Sequence, residues 1–220
     1  MTHDEIRKQQ MLLERAGATN ISIYIEKLCA NCTNRDHFED LLFEGRTALM
    51  LLMNGLSVDM RESPDLSVQL AGDQFYAEVK HFRLKEQDKL DGANMEATED
   101  LLVPYGDTVS SEGEAAWVQV VNVAKSKTKQ YRENSPNILV IGSSSPHCID
   151  DVIIPTAINI IAEEVCRGKC VELNRLNGIL LISHDFNNSR KRNVYFFQTC
   201  TAIVSLPPVI IEALNSILSG

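Results

Sequence analysis

SPDLSVQLAGDQFYAEVKHFR, residues 63–83, is the stretch on which the reading of this chain turns. Pro64-Asp65 is followed by twelve residues and then by Glu78-Val79-Lys80. Two alternating runs, Leu66/Val68/Leu70 and Phe75/Ala77/Val79, flank Ala71-Gly72-Asp73-Gln74. Alternation with a Gly-Asp pair between the runs predicts a tight β-hairpin. Successive side chains on a strand point to opposite faces, so Phe75, Ala77 and Val79 share an apolar face. Tyr76, Glu78 and Lys80 share the other. The hairpin would bring Asp65, Glu78 and Lys80 to one end of a small sheet. Carboxylates held near a core are costly unless they bind something, and oxygen ligands suit a hard cation such as magnesium.

A long helix is expected just before the hairpin, over residues 36–54, with Asp36 and Glu39 as a capping box and Gly55 as its stop. Leu41, Ala48 and Leu51 form its apolar stripe, and Glu44 lies within that stripe. A carboxylate there needs a partner, because charged residues are rarely buried alone. Arg46 and Arg61 are candidates, and so is a metal. Residues 56–61 alternate as a first strand. Asp59 on it is a further acid, read as a polar-face residue.

Pro-Asp, a short spacer and then Glu-x-Lys, set behind a helix carrying Glu44, resembles the pattern of the PD-(D/E)XK, restriction-endonuclease-like nucleases. The elements that follow fit. Residues 111–133 read as a helix, capped by Ser111 and Glu114, with Trp117, Val121, Ala124, Thr128 and Tyr131 as its buried stripe. Residues 137–142, NILVIG, read as a buried central strand. Helix, three strands, helix, strand is the order of that family's core, and the resemblance covers about residues 36–144. Several of these families carry a Gln four residues before a Tyr on the second helix. Lys127 stands there in this chain, with Gln130 beside Tyr131.

The resemblance implies an α/β fold with a restriction-endonuclease-like core and a mixed central sheet flanked by helices. It implies metal-assisted hydrolysis of phosphodiesters. Asp65, Glu78 and the Val79 carbonyl would hold Mg2+, with Mn2+ as a substitute, and Glu44 would hold a second metal or a metal-bound water. Lys80 would orient the attacking water. His81, Arg83, Lys127 and Gln130 would contact nucleic acid, DNA before RNA. Cleavage across a duplex would favour a homodimer.

The remainder extends this core with a helix over 152–167, strands over 178–183 and 194–199, and a C-terminal helix after Pro207-Pro208. Residues 1–35 read as a helical appendage on a domain spanning 36–220, with helices over 3–16 and 19–30. Residues 86–110 are acidic and aperiodic, and read as an insertion or loop. The basic run Arg190-Lys191-Arg192 reads as a solvated loop tip. His184 and Asp185 are neighbours on a strand and point apart, which removes them as a catalytic pair.

A net charge of −9 is unusual for a nucleic-acid binder, whose footprint is basic. It favours the alternative of a catalytically silent nucleic-acid- or protein-binding regulator retaining the fold. Asp65, Glu78 and Lys80 favour the enzyme. A third reading is an interaction protein stapled by zinc on Cys29/Cys32 and Cys166/Cys170. One CxxC with one distant CxxxC makes structural zinc disfavoured. No apolar run approaches the roughly 20 residues that span a bilayer, and the polar N-terminus lacks a signal peptide's apolar core. The expectation is a cytoplasmic protein with reduced cysteines.

Overall fold

The computed structural model describes residues 2–82, 116–143, 149, 151–184 and 192–217. Three helices come first: α1 (Thr2–Ala16), α2 (Ile21–Ala30) and α3 (Arg35–Met53). Strands β1 (Ser57–Met60), β2 (Leu66–Leu70) and β3 (Asp73–Phe82) follow. Then come α4 (Ala116–Ser126), β4 (Asn137–Ser143), α5 (Ile153–Cys166), a 3-10 turn (Val171–Arg175), β5 (Leu176–His184), β6 (Arg192–Gln198) and α6 (Pro208–Asn215).

The strands form one open, mixed sheet in chain order. β1, β2 and β3 run as an antiparallel meander, β3, β4 and β5 are parallel, and β6 returns antiparallel. Alternation along β4 divides the interior in two. Ile138 and Val140 join a core with Ile6, Leu13, Tyr24, Leu28, Leu51 and Phe75 under α1, α2, α3 and α6. Leu139 and Ile141 join the other, with Val121, Ala124, Ile154 and Ile161 under α4 and α5. All seven β4 residues are buried. That is why its sequence is continuously apolar and not alternating.

Local chemistry sets the joints. Leu70 pairs with Asp73, and Ala71 and Gly72 between them both have positive φ, 53° and 93°. This is the backbone a two-residue hairpin connection requires. α3 starts on Asn34, whose side chain accepts from the His37 amide, and not on the expected Asp36/Glu39 box. It ends as expected on Gly55 at φ 83°. There the amides of Gly55 and Leu56 return to the carbonyls of Leu52 and Leu51.

The second long helix is shorter than its sequence pattern suggests. α4 stops at Ser126 where a run to residue 133 was expected, and residues 127–130 form turns. Ser126 Oγ and Thr128 Oγ1 donate to the carbonyls of Val123 and Lys125. Such short hydroxyls compete with the helical backbone for its acceptors. Residues 111–115 and the acidic stretch 86–110 lie outside the described residues.

The N-terminal helices share the core beneath α3. Thr19 bridges to Asp59 on β1, and Thr19 Oγ1 and Asn20 Nδ2 both donate to Asp59 Oδ1 at 2.6 Å. Asp59 is thus engaged in fastening α2 to the sheet.

Gly142 on β4 leaves room for the ring of Phe43 from α3. A Cβ added at Gly142 would meet that ring below any normal contact distance. Gly142→Ala is therefore expected to destabilise the protein by about 2 kcal/mol, as overpacking of a close-packed core does. Urea unfolding would show a lower midpoint at unchanged slope. An unchanged midpoint would mean that Phe43 has space to move.

Candidate active site

β3 is longer than its partner. Leu66, the first residue of β2, pairs with Ala77, and beyond that point the strand neighbour of β3 among the described residues lies only on the β4 side. The vacated side is a notch in the sheet. Asp65, immediately before β2, fills part of it by accepting the Val79 amide on Oδ2 at 2.8 Å. The Asp65 carbonyl accepts the Arg61 amide at 2.9 Å, which pins the turn. The Pro-Asp before one strand and the Glu-x-Lys on the next meet because the hairpin register offsets their ends.

Groups from both faces of the sheet enter the notch. α3 brings Glu44, and one turn earlier Asp40. The chain after α4 brings Lys127. α2 brings Lys27. With Lys80 they line a cavity of about 270 Å³ beside Asp65 and Val79. Glu78 is not among the lining residues; its side chain is wholly buried, with Oε2 at 2.9 Å from Nζ of the lining residue Lys127. Lys27 Nζ stands 3.7 Å from Glu44 Oε1 and 3.8 Å from Asp65 Oδ1. Lys80 Nζ is 3.8 Å from Asp40 Oδ2, and His81 Nδ1 is 3.8 Å from Asp40 Oδ1. The His81 ring stacks on Phe43 with centroids 4.9 Å apart.

The carboxylates are under electrostatic stress. Glu44 and Glu78 are only 5% and 1% exposed. Burial, then the charge of Asp65, pushes Glu44 up to about 8, with the Lys27 ammonium opposing. The same two causes raise Glu78 to about 7 against the pull of Lys127. Glu44 Oε1 meets no hydrogen-bond donor of ordinary geometry among the described residues, the Lys27 ammonium standing off at 3.7 Å, while the Glu78 carboxyl shares a hydrogen bond with Asp65. Buried oxygens without donors are costly, and oxygen is the donor atom that a hard divalent cation takes. The donor set therefore suits Mg2+ or Mn2+. As they stand, no three His, Cys, Asp or Glu side chains among the described residues converge closely enough to hold an ion.

Of the residues singled out from sequence, Glu44, Asp65, Val79, Lys80, His81 and Lys127 line one cavity, and Glu78 does not line it but is buried against Lys127. Lys127 and Gln130 sit in the turns after α4 and not on a helix, because α4 ends early. Gln130 is not among the cavity-lining residues. Arg83, Asp185, Arg190 and Lys191 lie outside the described residues. Cys32 packs against the first core and Cys170 against the second, so the two cysteine pairs sit on opposite faces of the sheet.

Two site residues escape the sequence reading. Asp40 is four positions before Glu44, the spacing that puts side chains on one helix face, and that signal was available. Lys27 carried none. Its partners Glu44 and Asp65 come from other elements, and a lysine beside an apolar stripe is ordinary.

Compared with known proteins, the chain matches no family model, no curated protein and no solved structure.

Proposed function

We propose that this chain is a metal-dependent nuclease with a PD-(D/E)XK-type centre, hydrolysing phosphodiester bonds in DNA. One observation carries the reading. Glu44 from the helix, Asp65 from the start of β2, and Glu78 and Lys80 from β3 are delivered to one notch by the order helix, antiparallel meander, helix, parallel strand. Glu44, Asp65 and Glu78 would hold the cation, with Val79 at their side. A bound Mg2+ supplies charge neutralisation of the phosphodiester and a more acidic water.

The chain's own groups do the rest. Lys80 is 39% exposed at the cavity mouth, where its ammonium can donate to an attacking water or to a phosphate oxygen. Asp40 holds Lys80 and His81 from the α3 side, limiting how far either can swing. Lys127 neutralises Glu78 and is itself partly exposed, so it also offers a donor to the substrate.

The charge balance bears on substrate binding. Above about pH 8, where Glu44 and Glu78 have both released their protons, Asp40, Glu44, Asp65 and Glu78 face Lys27, Lys80 and Lys127 and leave the notch no better than neutral towards a polyanion. At that pH DNA binding is therefore expected to require a divalent cation, even one such as Ca2+ that does not support cleavage.

The test is cleavage of plasmid and oligonucleotide DNA with Mg2+ or Mn2+, with RNA as a second substrate. Wild type is expected to cleave, and Asp65→Ala to be slower by about 10³-fold, the scale of losing a metal-anchoring or proton-handling group. DNA binding in Ca2+ should weaken in the same variant. Equal cleavage by wild type and Asp65→Ala would overturn the reading, as would failure of wild type to cleave any nucleic acid with either metal.

A further inference from the structure

Lys27 belongs to α2, outside the helix–strand order that positions the carboxylates, yet it reaches to the middle of them. Its ammonium is within 3.8 Å of oxygens on both Glu44 and Asp65, and it donates to the Arg61 carbonyl at 2.8 Å. The Glu62 carbonyl lies at 3.5 Å. The side chain is 25% exposed, so this is a largely enclosed cation and not a surface ion pair. α2 is fastened at its N-terminal end through Asn20 and Thr19 to Asp59, which fixes the backbone from which Lys27 extends. Glu78 is served separately by Lys127.

We infer that Lys27 is the resident counter-ion of the carboxylate cluster and that a divalent cation must displace its ammonium to bind. The inference rests on the metal-dependent reading of the same notch and adds a positioning residue to it. The spacing is the physical reason. The two carboxylates already face a resident ammonium at 3.7 and 3.8 Å, whereas Mg2+ would have to draw the same oxygens to about 2.0–2.1 Å. Both cations seek the same oxygens, and two positive charges do not share so small a space without repulsion. The Arg61 carbonyl, which already accepts the Lys27 ammonium at 2.8 Å, and the Glu62 carbonyl at 3.5 Å would retain that ammonium as it draws away from the carboxylates. In the loaded protein Lys27 would then stand as a donor beside the bound phosphodiester.

The decisive measurement is calorimetric titration of Mn2+ and Mg2+ into wild type, Lys27→Met and Lys27→Arg, with thermal unfolding in EDTA and in Mg2+ alongside. Lys27→Met is expected to bind the cation at least tenfold more tightly than wild type. It should melt lower in EDTA and gain more from added metal. Lys27→Arg should resemble wild type. The double variant Lys27→Met/Glu44→Gln removes both members of the pair, and it should fold in EDTA even where Lys27→Met does not. Its ratio to Glu44→Gln then supplies the affinity comparison. Equal or weaker cation binding on removal of Lys27 would overturn the inference while leaving the metal reading intact. If neither wild type nor any Lys27 variant binds a divalent cation, the metal reading falls first and the inference falls with it.

Discussion

Under the proposed nuclease function, Lys80→Ala is expected to lower single-turnover DNA cleavage by about 10³-fold, within the range for loss of a proton-handling side chain. The melting temperature should hardly change. Lys80 is 39% exposed and its ion-pair partner, Asp40, stands at 3.8 Å, so the pair is of the half-exposed kind worth about 0–1 kcal/mol. Loss of activity without loss of fold would separate its chemical from its structural role. Lys80→Arg sharpens the test. Arginine keeps the positive charge but does not release its proton in proteins. Recovery of cleavage in the Arg variant would mean that Lys80 orients water and offsets phosphate charge. No recovery would mean that it exchanges a proton. A Lys80→Ala enzyme cleaving at the wild-type rate would remove Lys80 from the mechanism.

The second large effect is on stability. Metal-free protein is expected to lose stability as pH rises from about 4.5 to about 8. Glu44 and Glu78, raised to about 8 and about 7 from 4.5, keep their protons in the folded state where the unfolded chain has released them. The folded state thus binds more protons in this window, and stability must fall with rising pH. Below 4.5 the penalty is absent, and above 8 it is complete. A tenfold difference in proton affinity between folded and unfolded chain corresponds to about 1.4 kcal/mol, so shifts of this size in two groups amount to several kcal/mol. Lys27 and Lys127 moderate the effect, and Asp65 increases it.

Saturating Mg2+ is expected to flatten or reverse the slope, because metal binding expels the same protons. Urea unfolding at about pH 5 and about pH 8, in EDTA and in Mg2+, measures it. The difference between wild type and Glu44→Gln isolates Glu44 from histidine and cysteine titration. Wild type and Glu44→Gln with the same pH dependence in EDTA would show that Glu44 is not the strained group.

Much of this protein is local and legible in its residues. The alternation of 66–70 and 75–79 around Gly72, the apolar run 137–142 and the glycine stop at 55 each depend on neighbours a few positions apart. Strand period, burial of a central strand and the left-handed turn residue are all decided at that range. The anomaly of Glu44 within an apolar stripe is legible for the same reason, since helical spacing alone puts it on the buried face.

The end of α4 is not legible in this way, because its hydrophobic pattern continues through Tyr131, which is buried, while the hydroxyls at 126 and 128 turn the backbone before it. Periodicity reports which residues face a core, not whether the backbone between them is still helical. By itself, then, the sequence determined the meander, the central strand, and the presence of Asp65 just before β2 with Glu78 and Lys80 on β3. Tertiary structure alone decided what stands among them. Lys27 reaches Glu44 and Asp65 from α2, and Lys127 reaches Glu78 from the far face of the sheet. Coulomb attraction acts through space and leaves no periodic trace along a chain, so partners from different elements become visible only once the sheet has placed them around one notch.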